Sequence, residues 1–211
     1  MPGLGPADTS DVPDDADLLA CLEALGTHKA VGPDKILAEV YQRSPAARGL
    51  LFDVIKLIWT HEEVPAELVE GLFVTVFKNK GSSDDMTKYR CICLLNHAYK
   101  VLSAYLLLRL LKEVSLSIPD WQFGFLKGRG TRDAVWLLRQ VIKEALRKEQ
   151  SLIVTFIDFV AAFDTVSHKF LDRALETSGA SRKSRSIFRQ IYLKASARVK
   201  LRARGGQTLL S

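Results

Sequence analysis

The sequence has few cysteines and no second set of metal ligands, and these absences exclude two classes of protein. Its 211 residues contain three cysteines, Cys21, Cys91 and Cys93, which are too few and too unevenly spaced for a disulfide framework. Cys91 and Cys93 with His97 could begin a zinc site, but the usual ligand spacing and a second ligand pair are missing. We therefore expect reduced thiols in an intracellular compartment.

Nothing in the sequence indicates export or insertion into a membrane. The first residues contain neither the basic region nor the apolar region of a signal peptide. The longest apolar stretches are shorter than the roughly 18 residues that a membrane span needs. A glycine loop ending in lysine is also missing, so a P-loop nucleotide-binding protein is not indicated. We expect a soluble intracellular protein, in the nucleus or the cytoplasm, without membrane contacts.

Acidic residues are missing from one end of the chain. No Asp or Glu follows Glu176, whereas nine Lys or Arg residues do, and five Asp residues precede the first lysine, Lys29. The net charge of +6 therefore conceals an acidic beginning and a basic end. The basic end could bind a polyanion, or it could be a solvated helix face followed by a basic hairpin. Charge alone does not decide between these interpretations.

The apolar periodicity predicts more helices than strands. We expect helices over 15–25, 36–43, 46–60, 96–114, 131–149 and 181–195, and a further helix that Ser167 caps. The helix over 96–114 is rich in leucine and should be buried on most sides, and Val135, Leu138, Ile142 and Leu146 should form the inward face of 131–149. Strands are expected over 72–77, 152–158, 197–201 and 207–210, the last two as a hairpin. The predicted fold class is α+β.

Asp158 occupies an unusual place for an acid. It ends the apolar run SLIVTFID, where a buried strand would reach its exposed edge. An ionised carboxylate there is costly unless it pairs with a cation or a metal ion. A hard cation such as Mg²⁺ takes one or two carboxylates and leaves positions for phosphate oxygens. Asp158 could equally cap the turn or helix that follows the strand.

Two basic loops favour the interpretation of Asp158 as a metal ligand. One follows the strand over 72–77 and contains Lys78, Lys80, Lys88 and Arg90; the other is rich in glycine and contains Lys127, Arg129 and Arg132. Cations together with a metal-bound carboxylate suit a nucleoside triphosphate. The aromatic residues near the second loop, Trp121, Phe123 and Phe125, suit the bases or sugars of a nucleic acid.

Four stretches in the order found here resemble the reverse transcriptase domain of non-LTR, LINE-type retrotransposons. They are KAVGPD at 29–34 with Ala38 and Glu39, FKNKG at 77–81 with YRCICLLN at 89–96, QFGFLKGRGTRDA at 122–134, and FIDFVAAFDTVSH at 156–168. The resemblance extends from about residue 15 to the end of the chain. It implies the helix-rich fingers and part of the palm of a right-hand polymerase. Residues 1–14 would then be a flexible lead, 15–150 a fingers-like region and 151–211 a partial palm.

The resemblance also implies roles for individual residues. Asp158 corresponds to the catalytic, metal-binding aspartate, and the backbone carbonyl of Phe159 to a second Mg²⁺ ligand. Phe163 corresponds to the aromatic residue beside the sugar 2′ position, and Asp164 would be structural. The dNTP phosphates would be held by Lys78, Lys80 and Arg90, and template RNA would contact Gln122, Lys127 and Arg129. The implied partners are an RNA template, a DNA primer and a dNTP.

Several positions depart from the family pattern. Cys91, Cys93, Leu126 and Gly130 replace residues that are usual in the family, and Lys35 and Leu37 replace a Gly and a Pro. The second palm motif and the aromatic-x-Asp-Asp motif do not occur in the 211 residues, so we expect a fragment truncated before both. The expected function is part of an RNA-directed DNA polymerase that is inactive by itself. The alternative is a nucleic-acid-binding remnant without catalysis.

Overall fold

The fold is described from a computed structural model of the chain. The structure describes residues 11–82, 85–114, 118–160, 162–163, 165–203 and 206–210, with side chains up to Val199 except that of Met86. The calls that Asp164 is structural and that a turn at 204–206 closes the last hairpin involve residues outside this set, namely Asp164, Arg204 and Gly205. The secondary structure is mixed, which confirms the predicted α+β class.

The chain forms seven helices and four strands within the described residues. The helices are α1 (Asp15–Glu23), α2 (Ala38–Arg43), α3 (Pro45–His61), α4 (His97–Val114), α5 (Thr131–Arg147), α6 (His168–Thr177) and α7 (Arg182–Lys194). The strands are β1 (Glu70–Phe77), β2 (Tyr89–Leu95), β3 (Ser196–Ala203) and β4 (Gly206–Leu210). Ser167 caps α6 as predicted, because its hydroxyl accepts a hydrogen bond from Phe170 N at 3.2 Å.

The four strands form one sheet in the order β2-β1-β3-β4. β1 pairs with β2 in antiparallel fashion, with Phe77 opposite Tyr89, and with β3 in parallel fashion, with Glu70 opposite Ser196. β3 and β4 form the predicted antiparallel hairpin. β1 is therefore an inner strand, and the basic loop that follows it connects it to the edge strand β2.

The chain separates into two compact units. The first comprises the chain up to Lys112 and everything from Ala180 onward, and the second comprises Glu113–Gly179. The sheet and the hydrophobic core belong to the first unit, where α1, α3, α4 and α7 contribute the core residues. Trp59 and Tyr105 lie at the centre of this core with their rings edge to face, 5.0 Å apart. These aromatic side chains contribute much of the apolar area that stabilises the unit.

The second unit has no comparable core. None of its described residues is buried, and α5 and α6 expose apolar side chains. The predicted inward face of α5 is therefore wrong, since Val135, Ile142 and Leu146 are all exposed. The 3.6-residue period shows that a helix has an apolar face, but it does not show that another element covers that face.

Three further expectations require correction. Residues 152–158 form no strand, because no described strand pairs with them. β2 was not predicted, and it forms because its backbone pairs with β1 along seven positions. α4 buries only one face, while Leu107 is exposed, so its leucines are not enclosed on most sides.

Candidate functional site

The loop between β1 and β2 carries the first group of candidate residues. Lys78 continues the hairpin, because its backbone N donates to Lys88 O at 2.8 Å. Its ammonium Nζ donates to Thr87 O, also at 2.8 Å. Gly81 has a positive φ of 85°, a conformation that favours glycine at this point of the loop. The side chain of Lys78 thus helps to close the loop from which it projects.

Asp85 orders the same loop. Its carboxylate accepts hydrogen bonds from Thr87 Oγ1 at 2.7 Å and Thr87 N at 2.9 Å, and lies 3.7 Å from Lys88 Nζ. The hydrogen bonds from Thr87, more than the nearby lysines, hold the pKa of the Asp85 carboxyl below its usual range. Lys78 and Lys88 are therefore both engaged in ordering the loop.

Lys80 and Arg90 are the two cations here that the loop does not engage. Both are exposed, and neither makes a hydrogen bond or ion pair with another described residue. Arg90 lies on β2 opposite Val76 of β1, so the strand pair fixes its backbone. Exposed cations on a paired strand and an adjoining loop suit the binding of phosphate oxygens.

Arg129 holds the glycine-rich loop of the second unit together. Its guanidinium Nη1 donates to the carbonyls of Pro119, Asp120 and Gln122 at 3.0, 3.0 and 2.9 Å, and Nη2 lies 3.3 Å from the Asp120 carboxylate. A phosphate contact would have to use the remaining donors. Lys127 is exposed, and the amide of Gln122 donates to Gly124 O at 3.1 Å.

The glycine-rich loop ends at Gly130, which occupies the N-cap of α5. The Asp133 carboxylate accepts a hydrogen bond from Gly130 N at 2.8 Å, so the helix begins with an acid bound to its first free amide. A capping role for Thr131 is therefore wrong, since Thr131 is already the first helical residue.

The stretch around Asp158 lies in the second unit and is exposed. Residues 151–159 form no helix, strand or turn, and Asp158 makes no hydrogen bond or ion pair with another described residue. Phe163 is exposed and contacts Phe125 of the glycine-rich loop edge to face, with ring centroids 6.2 Å apart. This contact brings two of the four sequence stretches together.

Asp158 fits a Mg²⁺ site only as one ligand. A carboxylate oxygen is the donor type that Mg²⁺ prefers, and Mg²⁺ commonly keeps water and phosphate oxygens in its other positions. No group of three or more His, Cys, Asp or Glu side chains is close enough to hold a metal ion among the described residues. The same finding gives no support to a zinc site at Cys91, Cys93 and His97, and both thiols are free.

Asn96 is a structural residue that the sequence reasoning noted only as part of a motif. It is buried, and its amide Nδ2 donates to Glu67 O at 3.0 Å and Leu68 O at 3.4 Å. Its Oδ1 accepts a hydrogen bond from Asp34 N at 3.1 Å. A β-carbon at Gly32 would lie 2.4 Å from Asn96 N, so the close approach requires glycine. Asn96 thus joins KAVGPD to the end of β2, and only the polar identity of this strand-end residue could have indicated it.

The candidate residues fall into two groups, each described within its own unit. Lys78, Lys80 and Arg90 belong to the first unit. The second unit contains the others: Gln122, Lys127, Arg129, Asp158, Phe159 and Phe163. These features define an α+β protein with candidate phosphate contacts on ordered loops in both units.

Comparison with known proteins gives the family. The sequence pattern of the family described as "Reverse transcriptase (RNA-dependent DNA polymerase)" matches residues 77–209, more than half of the chain. The chain belongs to this reverse transcriptase family. The resemblance to LINE-type, non-LTR elements drawn from the four stretches is also confirmed.

Individual relatives agree with this assignment. The chain is 31% identical over 97 residues to the RNA-directed DNA polymerase from mobile element jockey of Drosophila melanogaster, covering 45% of this chain and 11% of that protein. It is 32% identical over 143 residues to a putative 115 kDa protein in the type-1 retrotransposable element R1DM of the same species, covering 59% and 14%. The matched segment is thus about a seventh of each relative or less. No described helix is both long and apolar enough to span a membrane.

Proposed function

We propose that this chain supplies nucleotide-binding and nucleic-acid-binding parts of an RNA-directed DNA polymerase. The observation that carries the proposal is the family match over 77–209, which includes all of the candidate residues. Lys78, Lys80 and Arg90 would contact the triphosphate of a dNTP. Gln122, Lys127 and Arg129 would lie along template RNA paired with a DNA primer, in the nucleus or the cytoplasm.

The ordered loops support these assignments because they reduce the entropic cost of binding. Lys78 and Asp85 close the β1–β2 loop, and Arg129 closes the glycine-rich loop. A loop that is already ordered loses less conformational entropy when it binds a polyphosphate. In this proposal Arg129 is mainly a positioning residue, while Lys127 contacts the nucleic-acid backbone directly.

Replacing both Lys80 and Arg90 by Ala should weaken the binding of a fluorescent dNTP about tenfold or more. The expected size follows from the loss of charge-assisted hydrogen bonds to phosphate, each worth roughly 1.5–3 kcal/mol. Fluorescence anisotropy at constant salt measures the affinity. The control changes Lys56 and Lys112 to Ala, which removes the same charge from cations already paired with Asp15 and Asp17. Equal weakening by both double variants would reduce the proposal to nonspecific charge attraction.

Asp158 is proposed as the catalytic carboxylate and a Mg²⁺ ligand, with the carbonyl of Phe159 as a second ligand. Two-metal chemistry activates an attacking hydroxyl and stabilises the departing pyrophosphate. Here Asp158 would bind and orient the ion, and Phe163 would lie beside the sugar of the dNTP. The pairing of Phe163 with Phe125 supports this placement, because edge-to-face contact restrains an otherwise exposed ring.

Changing Asp158 to Asn should weaken Mn²⁺ binding, with Mn²⁺ standing in for Mg²⁺, at least tenfold in the presence of a dNTP. The amide keeps the shape of the side chain but loses the negative charge that an oxygen-ligated cation requires. Enhancement of water-proton relaxation by bound Mn²⁺ measures this without any turnover. The exposed Asp53 of α3 provides the matched control as Asp53→Asn. Unchanged Mn²⁺ affinity in Asp158→Asn would remove Asp158 from the metal site.

A binding remnant without catalysis is the second candidate function. It is supported by the position of Asp158, which has no other acidic side chain grouped with it among the described residues. Both candidates predict binding of dNTP and nucleic acid. Extension of a DNA primer on an RNA template by the 211-residue chain separates them, since only a polymerase lengthens the primer.

A further inference from the structure

The segment Leu152–Asp158 combines a strand-forming sequence with an unpaired backbone. Its residues are mostly β-branched, aliphatic or aromatic, the types enriched in strands. None of its backbone groups makes a hydrogen bond with another described residue. Unpaired backbone in a sequence of this kind is a template for pairing with a second chain.

The apolar area exposed in and just after this segment is large enough for a specific interface. Six large apolar residues are each at least 75% exposed: Ile153, Phe156, Ile157, Phe159, Val160 and Phe163. At about 150 Å² for each side chain, their burial would remove roughly 900 Å² from water in one copy. A standard stable interface buries about 800 Å² on each partner.

The charge of the segment favours a second copy of this chain over a polyanion. Residues 151–160 contain no Lys or Arg, and Asp158 would repel a phosphate backbone. The window Leu152–Ile157 contains no charge, no Pro and no Gly, a composition typical of segments that pair with identical copies. Self-pairing therefore meets no electrostatic obstacle before Asp158.

We propose that two copies of this chain associate by antiparallel pairing of Leu152–Asp158, centred on Thr155. In this register Asp158 of each copy lies opposite Leu152 of the other, and Ile153 lies opposite Ile157. A parallel, in-register pair would instead place the two Asp158 carboxylates side by side, which is destabilising. The antiparallel pair has twofold symmetry and closes at two copies. The inference does not depend on polymerase function.

The test uses the whole chain and two proline variants. Light scattering on a sizing column should give twice the chain mass of 23.5 kDa at high micromolar concentration, and the mass should fall on dilution. Amide hydrogen exchange over 152–158 should slow as the dimer forms. Neighbouring N–H groups of a strand point in opposite directions, so Val154→Pro or Thr155→Pro must remove an inter-chain hydrogen bond. At least one of these variants should therefore be monomeric at the same concentration.

The control and the contrary outcomes are equally definite. Leu146→Lys introduces a charge at a residue of α5 that is 72% exposed, outside the segment, and it should leave the dimer intact. Far-ultraviolet circular dichroism should stay unchanged in the proline variants, because they remove no described hydrogen bond. A monomer at all concentrations, a dimer that survives both proline variants, or open-ended growth would overturn the proposal. Protection of 152–158 only after an RNA oligonucleotide is added would also overturn it.

Discussion

Replacing Asn96 by Ala should lower the free energy of unfolding by about 3 kcal/mol. The side chain satisfies the backbone groups of Asp34, Glu67 and Leu68, and only 3% of Asn96 is exposed. Each buried polar group left without a partner costs about 1–3 kcal/mol, and partial hydration of these half-buried groups recovers some of that loss. Urea unfolding followed by tryptophan fluorescence measures the change.

A local measurement distinguishes release of the 32–36 loop from general loosening. Trypsin should cut after Lys35 faster in Asn96→Ala than in the unmodified chain, because Asp34 N loses its partner while the core stays formed. Asn79→Gly is the matched control, since Asn79 is exposed and has a positive φ of 52° that glycine adopts without strain. A stability loss below about 0.5 kcal/mol in Asn96→Ala would mean that water replaces the amide without cost.

The protein should lose about 3 kcal/mol of stability between pH 10 and pH 12 through one residue, Tyr105. Burial raises the pKa of Tyr105 to about 12 and outweighs the opposing effect of Arg109, and only 1% of the residue is exposed. Below pH 10 the phenol is protonated in both the folded and the unfolded chain, so its contribution is fully present. Above pH 10 the unfolded chain releases the proton while the folded chain retains it, and stability falls by about 1.4 kcal/mol for each pH unit.

The comparison with Tyr105→Phe assigns this alkaline loss. Other groups also titrate between pH 10 and pH 12, so the relevant quantity is the difference between the unfolding free energies of the two proteins. That difference should be constant below pH 10 and should shift in favour of Tyr105→Phe above it. Absorbance at 295 nm should show one tyrosine fewer ionising near pH 12 in the variant. A difference that does not vary with pH would show that Tyr105 ionises equally in both states.

The elements that the sequence predicted well are those whose signals are local. Ser167 marks the start of α6 through one hydroxyl, and the apolar period of α3 gives its buried face through Ile55 and Trp59. The hairpin of β3 and β4 follows from two short strands with glycine between them. Each of these signals lies within about fifteen residues of the feature that it predicts.

The misses depend on partners that lie far away along the chain. β2 exists because its backbone matches β1, and the predicted strand over 152–158 is missing because no described strand pairs with it. The contact of Asn96 with Gly32 joins positions 64 residues apart, and no period or cap signal reports it. The roles of Lys78, Lys80, Arg90, Asp158 and Phe163 stay predictions, because no ligand accompanies the chain to test them.

The parallel pairing of β1 with β3 has a consequence for how the protein is synthesised. Glu70 and Ser196 are neighbours in the sheet although 126 positions separate them. At a translation rate of about 5–20 residues per second, β1 would wait roughly 6–25 s for its second neighbour. During that interval one edge of β1 is open to other strands, and pairings of such long range form slowly even in a complete chain. The yield of folded protein should therefore depend on chaperones that cover this edge while the ribosome is still at work.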